Sequence, residues 1–264
     1  MQRVINDLNV FIDGDYKNIP IVFVHGFPFD HIMWDAQVGE FSGDYYCIRY
    51  DIRGLGLSPA GDGQFTMELF VDDLEKIINE LKLKNPVLCG LSIGGYISLR
   101  AIERMQEKFS ALILCDTKAV ADDNEGKLKR AAGIKQINSG DLDGFIESFI
   151  LNCFGKKFVQ EKNPEFKKVV ERSKKNNPLG VKGCLLAMAV RTDTTGTLSK
   201  INIPTLIICG SEDKLTPPEV MKTMADKMQN SKFVLVDDAG HMTPIENPQL
   251  VNKSIKDFLV QNKM

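Results

Sequence analysis

Residues 86–95 read Pro86-Val87-Leu88-Cys89-Gly90-Leu91-Ser92-Ile93-Gly94-Gly95. A charge-free apolar run, Pro86–Cys89, leads into G-x-S-x-G at 90–94, and a helical pattern follows to Phe109. Five residues with three fixed carry little information alone. Their place between a buried strand and a helix gives them force. A tight strand-to-helix turn pushes the serine hydroxyl out at the C-terminal end of a sheet. Close-packed neighbours must then lack side chains, which accounts for Gly90 and Gly94, with Gly95 helping. The following N–H groups sit at a helix N-terminus, which favours negative charge. Ser92 is the candidate nucleophile.

Outward from this turn, similar apolar runs recur at Ile21–Val24, Tyr46–Tyr50, Ala111–Cys115, Pro204–Cys209 and Lys232–Val236. Each precedes a Gly- or Asp-bearing turn, as expected of parallel strands buried on both faces. Helical patterns lie between them. Met67–Leu81 places apolar residues at 67, 70, 71, 74, 77, 78 and 81. Pro217–Met228 and Glu246–Val260 are further helices. The alternation predicts an α/β fold, a mostly parallel central sheet flanked by helices. Met1–Asp15 alternates apolar and polar positions and reads as a hairpin rather than a signal peptide.

One stretch departs from the alternation. Lys118–Lys200 shows helix-like segments around Leu128–Ile137, Asp143–Phe154, Pro164–Lys174 and Val181–Val190, with no strand pattern. It is too long for a plain connection. The expectation is a helical lid over residues 118–200, inserted into a core of residues 1–117 and 201–264. The lid is net basic and the remainder net acidic. A solvated lid surface is the simpler reading of that basic excess; an anion-attracting entrance is the other.

The chain has 264 residues, 43% hydrophobic and 26% charged, with net charge -2. That balance suits one soluble globular domain and gives no basic footprint for nucleic acid. No apolar run approaches the roughly 18 residues of a membrane span. Six cysteines are scattered without a CxxC pair, and Cys89, Cys115 and Cys209 fall in strand runs. They read as reduced core thiols, which fits a cytoplasmic protein. Nothing in the sequence fixes an oligomeric state.

A serine hydroxyl needs a base. Of three histidines, His241 follows the run Lys232–Val236 in a Gly-flanked loop, Ala239-Gly240-His241-Met242, at the same sheet edge as Ser92. His25 ends a strand, and His31 reads as a surface residue or loop contact. The base needs a carboxylate to fix its tautomer. Asp213 follows Pro204–Cys209 and is the first candidate; Glu212 and Asp116 are rivals, while Asp237 and Asp238 lie too near His241 along the chain. A tetrahedral oxyanion needs two aimed N–H donors. Ile93 supplies one. The loop His25-Gly26-Phe27-Pro28 offers the other at Phe27, since Pro28 has no N–H.

These landmarks, with Asp51-Ile52-Arg53-Gly54-Leu55-Gly56-Leu57-Ser58 before the elbow and Pro217, Glu246 and Pro248 after it, resemble the α/β-hydrolase superfamily over nearly the whole chain. Gly-Leu-Ser-Ile-Gly-Gly is similar to the esterase, cofactor-free haloperoxidase and 3-oxoadipate enol-lactonase group. The resemblance implies a Ser92-His241-Asp213 triad that hydrolyses a small carboxylic ester or lactone, without metal or cofactor. The charge balance and the lack of a long apolar run point to no nucleic-acid or membrane partner. Phe27, Met33, Trp34 and Met242 are candidate substrate-binding residues; Met33 and Trp34 equally suit the core. C–C bond hydrolysis of a β-diketone-like substrate by the same triad, and a low-turnover ligand receptor, are the competing readings.

Overall fold

The computed structural model describes residues 1–161 and 163–264. Eight strands form one sheet: β1 Gln2–Ile5, β2 Leu8–Asp13, β3 Pro20–Val24, β4 Tyr46–Tyr50, β5 Val87–Leu91, β6 Ala111–Cys115, β7 Thr205–Gly210 and β8 Ser231–Val236. Their spatial order is β1-β2-β4-β3-β5-β6-β7-β8. β1 and β2 pair antiparallel, as does β2 with β4; every other pairing is parallel. The hairpin turns at Asn6 and Asp7, both at positive φ (51° and 66°). Two such residues match the right-handed twist of the flanking strands.

The chain leaves β3 toward β4 on one side and returns as β5 on the other. That reversal opens a crevice at the C-terminal ends of β3 and β5. Val24 pairs with Gly90, so the two strand ends are level. The Phe27 loop and the Ser92 turn therefore start side by side.

Eleven helices are described: α1 Asp35–Phe41, α2 Met67–Glu80, α3 Ile93–Met105, α4 Asn124–Asn138, α5 Leu142–Leu151, α6 Lys156–Gln160, α7 Pro164–Ser173, α8 Pro178–Ala189, α9 Pro218–Asp226, α10 Thr243–Glu246 and α11 Pro248–Gln261. α2 shows why pattern becomes packing. Met67, Phe70, Val71, Leu74, Ile77 and Ile78 form its buried stripe, and Thr66 accepts the Leu69 N–H at its start (3.2 Å). Five helices, α4–α8, lie between β6 and β7, with no strand among the described residues there. Asn176, just before α8, grips two core loops: its Nδ2 donates to Pro28 O (2.7 Å) and its Oδ1 accepts Gly56 N–H (2.8 Å). No described helix is long and apolar enough to cross a membrane. All six cysteines are buried and unbridged.

Two elements depart from expectation. β8 is the last strand of the sheet, and Lys232 and Leu235 are exposed, so it is not buried on both faces. α1 has no counterpart in the sequence reading. It has seven residues, only three of them buried, and no side-chain cap at its start.

His31 is not a surface residue. It is a buried loop contact on Asp51, a carboxylate with no solvent exposure. Asp51 Oδ1 accepts both the backbone N–H (2.8 Å) and Nδ1 (2.7 Å) of His31, and Oδ2 accepts Leu57 N–H (2.8 Å). Burial alone would raise the Asp51 carboxyl; the His31 hydrogen bond, the two nearby histidines and Leu57 outweigh it and hold it below the usual carboxylate value. A folded value below the unfolded one gives stability above pH about 4 that is lost as pH falls. Asp51→Asn is expected to cost about 3 kcal/mol near neutrality. Urea titrations of both proteins should show that gap closing as pH falls below about 4.

Candidate active site

Ser92 stands between β5 and α3 at φ 56° and ψ -115°. This left-handed backbone is strained for a residue with a Cβ, by about 1–3 kcal/mol. Packing holds it there. A side chain on Gly94 would strike the carbonyls of Val24 and His25, and one on Gly90 would strike Gly94. The Thr117 hydroxyl donates to Ser92 O (2.8 Å), and Ser92 N–H donates to Cys115 O (3.1 Å).

The loops after β7 and β8 meet by an equally close backbone approach. A Cβ on Gly210 would collide with the carbonyls of Gly240 and Ala239. Glu212 N–H donates to Ala239 O (2.8 Å). Asp213 and His241 are thereby joined: His241 Nδ1 lies 2.8 Å from Asp213 Oδ2. The other Asp213 oxygen accepts the N–H groups of Leu215 (2.8 Å) and Thr216 (3.0 Å), and the Thr216 hydroxyl donates to Oδ2 (2.5 Å). A carboxylate on Nδ1 places the ring proton there and leaves Nε2 as an acceptor. Nε2 is buried and has no partner among the described residues.

Burial works against an imidazolium at His241, but Asp213, with Asp116 and Glu246, more than offsets it and holds this histidine above its ordinary value. Burial likewise works against the Asp213 carboxylate, and His241 and Thr216 pull it below the ordinary value.

The rival acids have other partners. Asp116 accepts Gly210 N–H (2.9 Å) and the Thr243 hydroxyl (2.5 Å), not the His241 ring. Burial, with the Asp213 charge beside it, pushes Asp116 well above the carboxylate range. Glu212 accepts Lys156 N–H (2.8 Å). His25 is buried; its Nδ1 donates to Gly26 O (2.8 Å) and its Nε2 accepts Ile52 N–H (2.8 Å). It braces the Phe27 loop against the loop after β4.

Ser92, His241 and Phe27 line one cavity of about 540 Å³, with Phe145, Phe149 and Met188 on its apolar wall. Phe27 meets Phe149 edge-on, ring centroids 5.2 Å apart. Lys118, Lys129, Arg130 and Lys214 also line it, together with three carboxylates, Asp122, Asp123 and Glu125. The N–H groups of Phe27 and Ile93 have no acceptor among the described residues. The other expected lining residues lie elsewhere. Trp34 is fully buried against Phe23 (centroids 5.2 Å), because the short turn before α1 directs it into the core. Met33 lines a separate groove beside α7, and Met242 is fully buried off the cavity wall. Phe145 and Phe149 are not among the residues expected from sequence; their i, i+4 spacing on one helix is the signal that marks them. Thr216, which donates to Asp213, is likewise not among the expected residues.

A family model described as alpha/beta hydrolase fold matches residues 19–248. The chain belongs to the alpha/beta hydrolase fold family. Within that family it is similar to a thermophilic esterase from Thermogutta terrifontis, whose solved structure superposes with a TM-score of 0.93 at 32% identity, covering 100% of both chains. It is 28% identical to 3-oxoadipate enol-lactonase 1 of Acinetobacter baylyi, over 92% of this chain and 89% of that one. It is 27% identical to the AB hydrolase superfamily protein YisY of Bacillus subtilis, over 95% of each.

A carboxyl raised by burial in the fold favours the folded state at low pH and loses that contribution as pH rises. Asp116→Asn removes the titration and keeps an acceptor for Gly210. The variant is expected to gain stability relative to wild type as pH rises above about 4. Denaturant midpoints at pH 4 and pH 8 measure that trend.

Proposed function

We propose that this hydrolase-fold protein cleaves a small carboxylic ester or lactone through a Ser92-His241-Asp213 triad and an acyl-enzyme. One observation carries the reading. His241 is held on Nδ1 by Asp213 at 2.8 Å, while its unpartnered Nε2 belongs to a ring that lines the same cavity as Ser92. The esterase and enol-lactonase names of its relatives agree with it.

In this reading, His241 Nε2 takes the Ser92 Oγ proton as Oγ attacks the carbonyl carbon. The carbonyl oxygen becomes an oxyanion between the N–H groups of Phe27 and Ile93. The intermediate collapses, the C–O bond breaks, and the imidazolium proton goes to the departing alkoxide. Water then gives a proton to Nε2 and attacks the acyl carbon, which releases the acid and restores Ser92. Asp213 stays ionised and stabilises the imidazolium throughout. Residues 118–200 act as the lid that bears the substrate wall, since Phe145, Phe149, Leu185 and Met188 come from it. The apolar wall suits the acyl or alkyl part of the substrate.

A fluorophosphonate should label wild type at Ser92 and leave Ser92→Ala unmodified. With p-nitrophenyl acetate, Ser92→Ala should lose at least about 10⁴-fold in kcat. Equal labelling or retained turnover in that variant rejects the triad. Asp213→Asn should lose about 10⁴-fold, and Asp116→Asn less than about tenfold. The base works deprotonated, so kcat/KM should rise with pH through a midpoint above the ordinary histidine value of about 6.5. Initial rates between pH 5 and 9 locate that midpoint.

A further inference from the structure

The turn between α5 and α6 holds Cys153, Phe154 and Gly155 against both loops that carry Asp213 and His241. His241 N–H donates to Cys153 O (2.6 Å). Gly155 N–H donates to Glu246 Oε2 (2.7 Å). The second oxygen, Glu246 Oε1, accepts the N–H groups of Gly240 (2.9 Å) and Met242 (3.1 Å), the residues on either side of His241. Lys156 N–H donates to Glu212, the neighbour of Asp213, and Lys157 Nζ lies 3.4 Å from Asp238 Oδ2. The packing is backbone on backbone: a Cβ at Gly240 would lie 2.5 Å from Gly155 N and 2.8 Å from Cys153 O.

We propose that Glu246 is a positioning residue that seats the His241 loop on the α5–α6 turn, so that the base is aimed correctly only while that part of the helical segment is docked. The proposal rests on the reading of His241 as the base. Its chemistry is specific to a carboxylate. Three N–H donors converge from two sides on two acceptor oxygens, and a glutamine offers only one such oxygen. All three main-chain positions that hold His241, at 240, 241 and 242, donate either to Glu246 or to the α5–α6 turn.

The charge of Glu246 also reaches the ring. The carboxylates that face His241 are Asp213, Asp116 and Glu246, and all three favour its protonated form. Around Glu246 itself stand His241 and the Cys153 thiol, with Glu212, Asp238 and Lys157 on the flanking contacts. Asp213 bonds to the ring, and Asp116 is occupied by Gly210 and Thr243. Glu246 bonds to backbone only, so it acts on the ring through loop position and charge and not through a hydrogen bond of its own.

The test uses the full chain and two variants. Glu246→Gln should lower kcat on p-nitrophenyl acetate about 10- to 100-fold with KM within about twofold, the signature of a misaimed group. It should also shift the His241 imidazole titration to lower pH, read by NMR against only three histidines, and the acid limb of kcat/KM should follow. Gly155→Pro removes the N–H on the other side of the contact and presses its ring on the same contact, with Glu246 Oε2 3.0 Å from the added Cβ; the φ of -63° at Gly155 suits proline. It should lower kcat with KM held, and without the downward shift, because the Glu246 charge stays. A folded Glu246→Gln with the wild-type titration and kcat overturns the proposal. If that variant does not fold, wild-type kcat in folded Gly155→Pro overturns it. Should wild type hydrolyse no ester at all, the NMR arm still reads the contact, and only the ester reading falls.

Discussion

Two places where main chain touches main chain set this site. At one, Gly94 packs on the carbonyls of Val24 and His25; at the other, Gly210 packs on those of Ala239 and Gly240. A methyl group at either would force the strand-end loops apart. The first contact brings the Ser92 turn against the Phe27 loop, and the second brings Asp213 to His241. The parallel sheet delivers four loops to one edge, and these approaches set the Ser92 turn against the Phe27 loop and bring Asp213 within 2.8 Å of His241 Nδ1.

The same crowding shapes the electrostatics. Three carboxylates, Asp213, Asp116 and Glu246, gather around one buried imidazole. They are not equivalent, because their hydrogen bonds differ. Asp213 is held by the ring, two N–H groups and a hydroxyl, and stays low. Asp116 has fewer donors and lies beside another negative charge, so it rises. Pairs of acids whose surroundings drive their values apart are what lets one stay ionised next to a histidine.

Much of this was legible in the sequence, and the reason is local. The elbow, the strand runs and the Gly-flanked His241 loop each declare themselves within ten residues. Asp213 reads ahead of Asp116 because it sits in the strand-end loop immediately before the His241 unit. The losses come from relations the chain spells out far apart. β8 reads like a central strand because edge position is a property of the sheet, not of Lys232–Val236. Trp34 reads equally as a pocket aromatic or a core residue until a short turn directs it inward, and α1 has too few buried positions to leave a stripe. The cavity wall is the clearest loss: Phe145 and Phe149 meet Phe27 across more than a hundred residues.

The grip of the α5–α6 turn on the His241 loop also divides the helical segment in a way that linear boundaries do not. In the proposed reading that turn belongs mechanically to the chemistry, while α4 borders the cavity with only Gly133 and Ile137 buried along its fifteen residues. Substitutions on the exposed face of α4 then alter the cavity border without touching the contacts that seat His241. Substrate range and catalytic competence would then rest on neighbouring but separable pieces of chain.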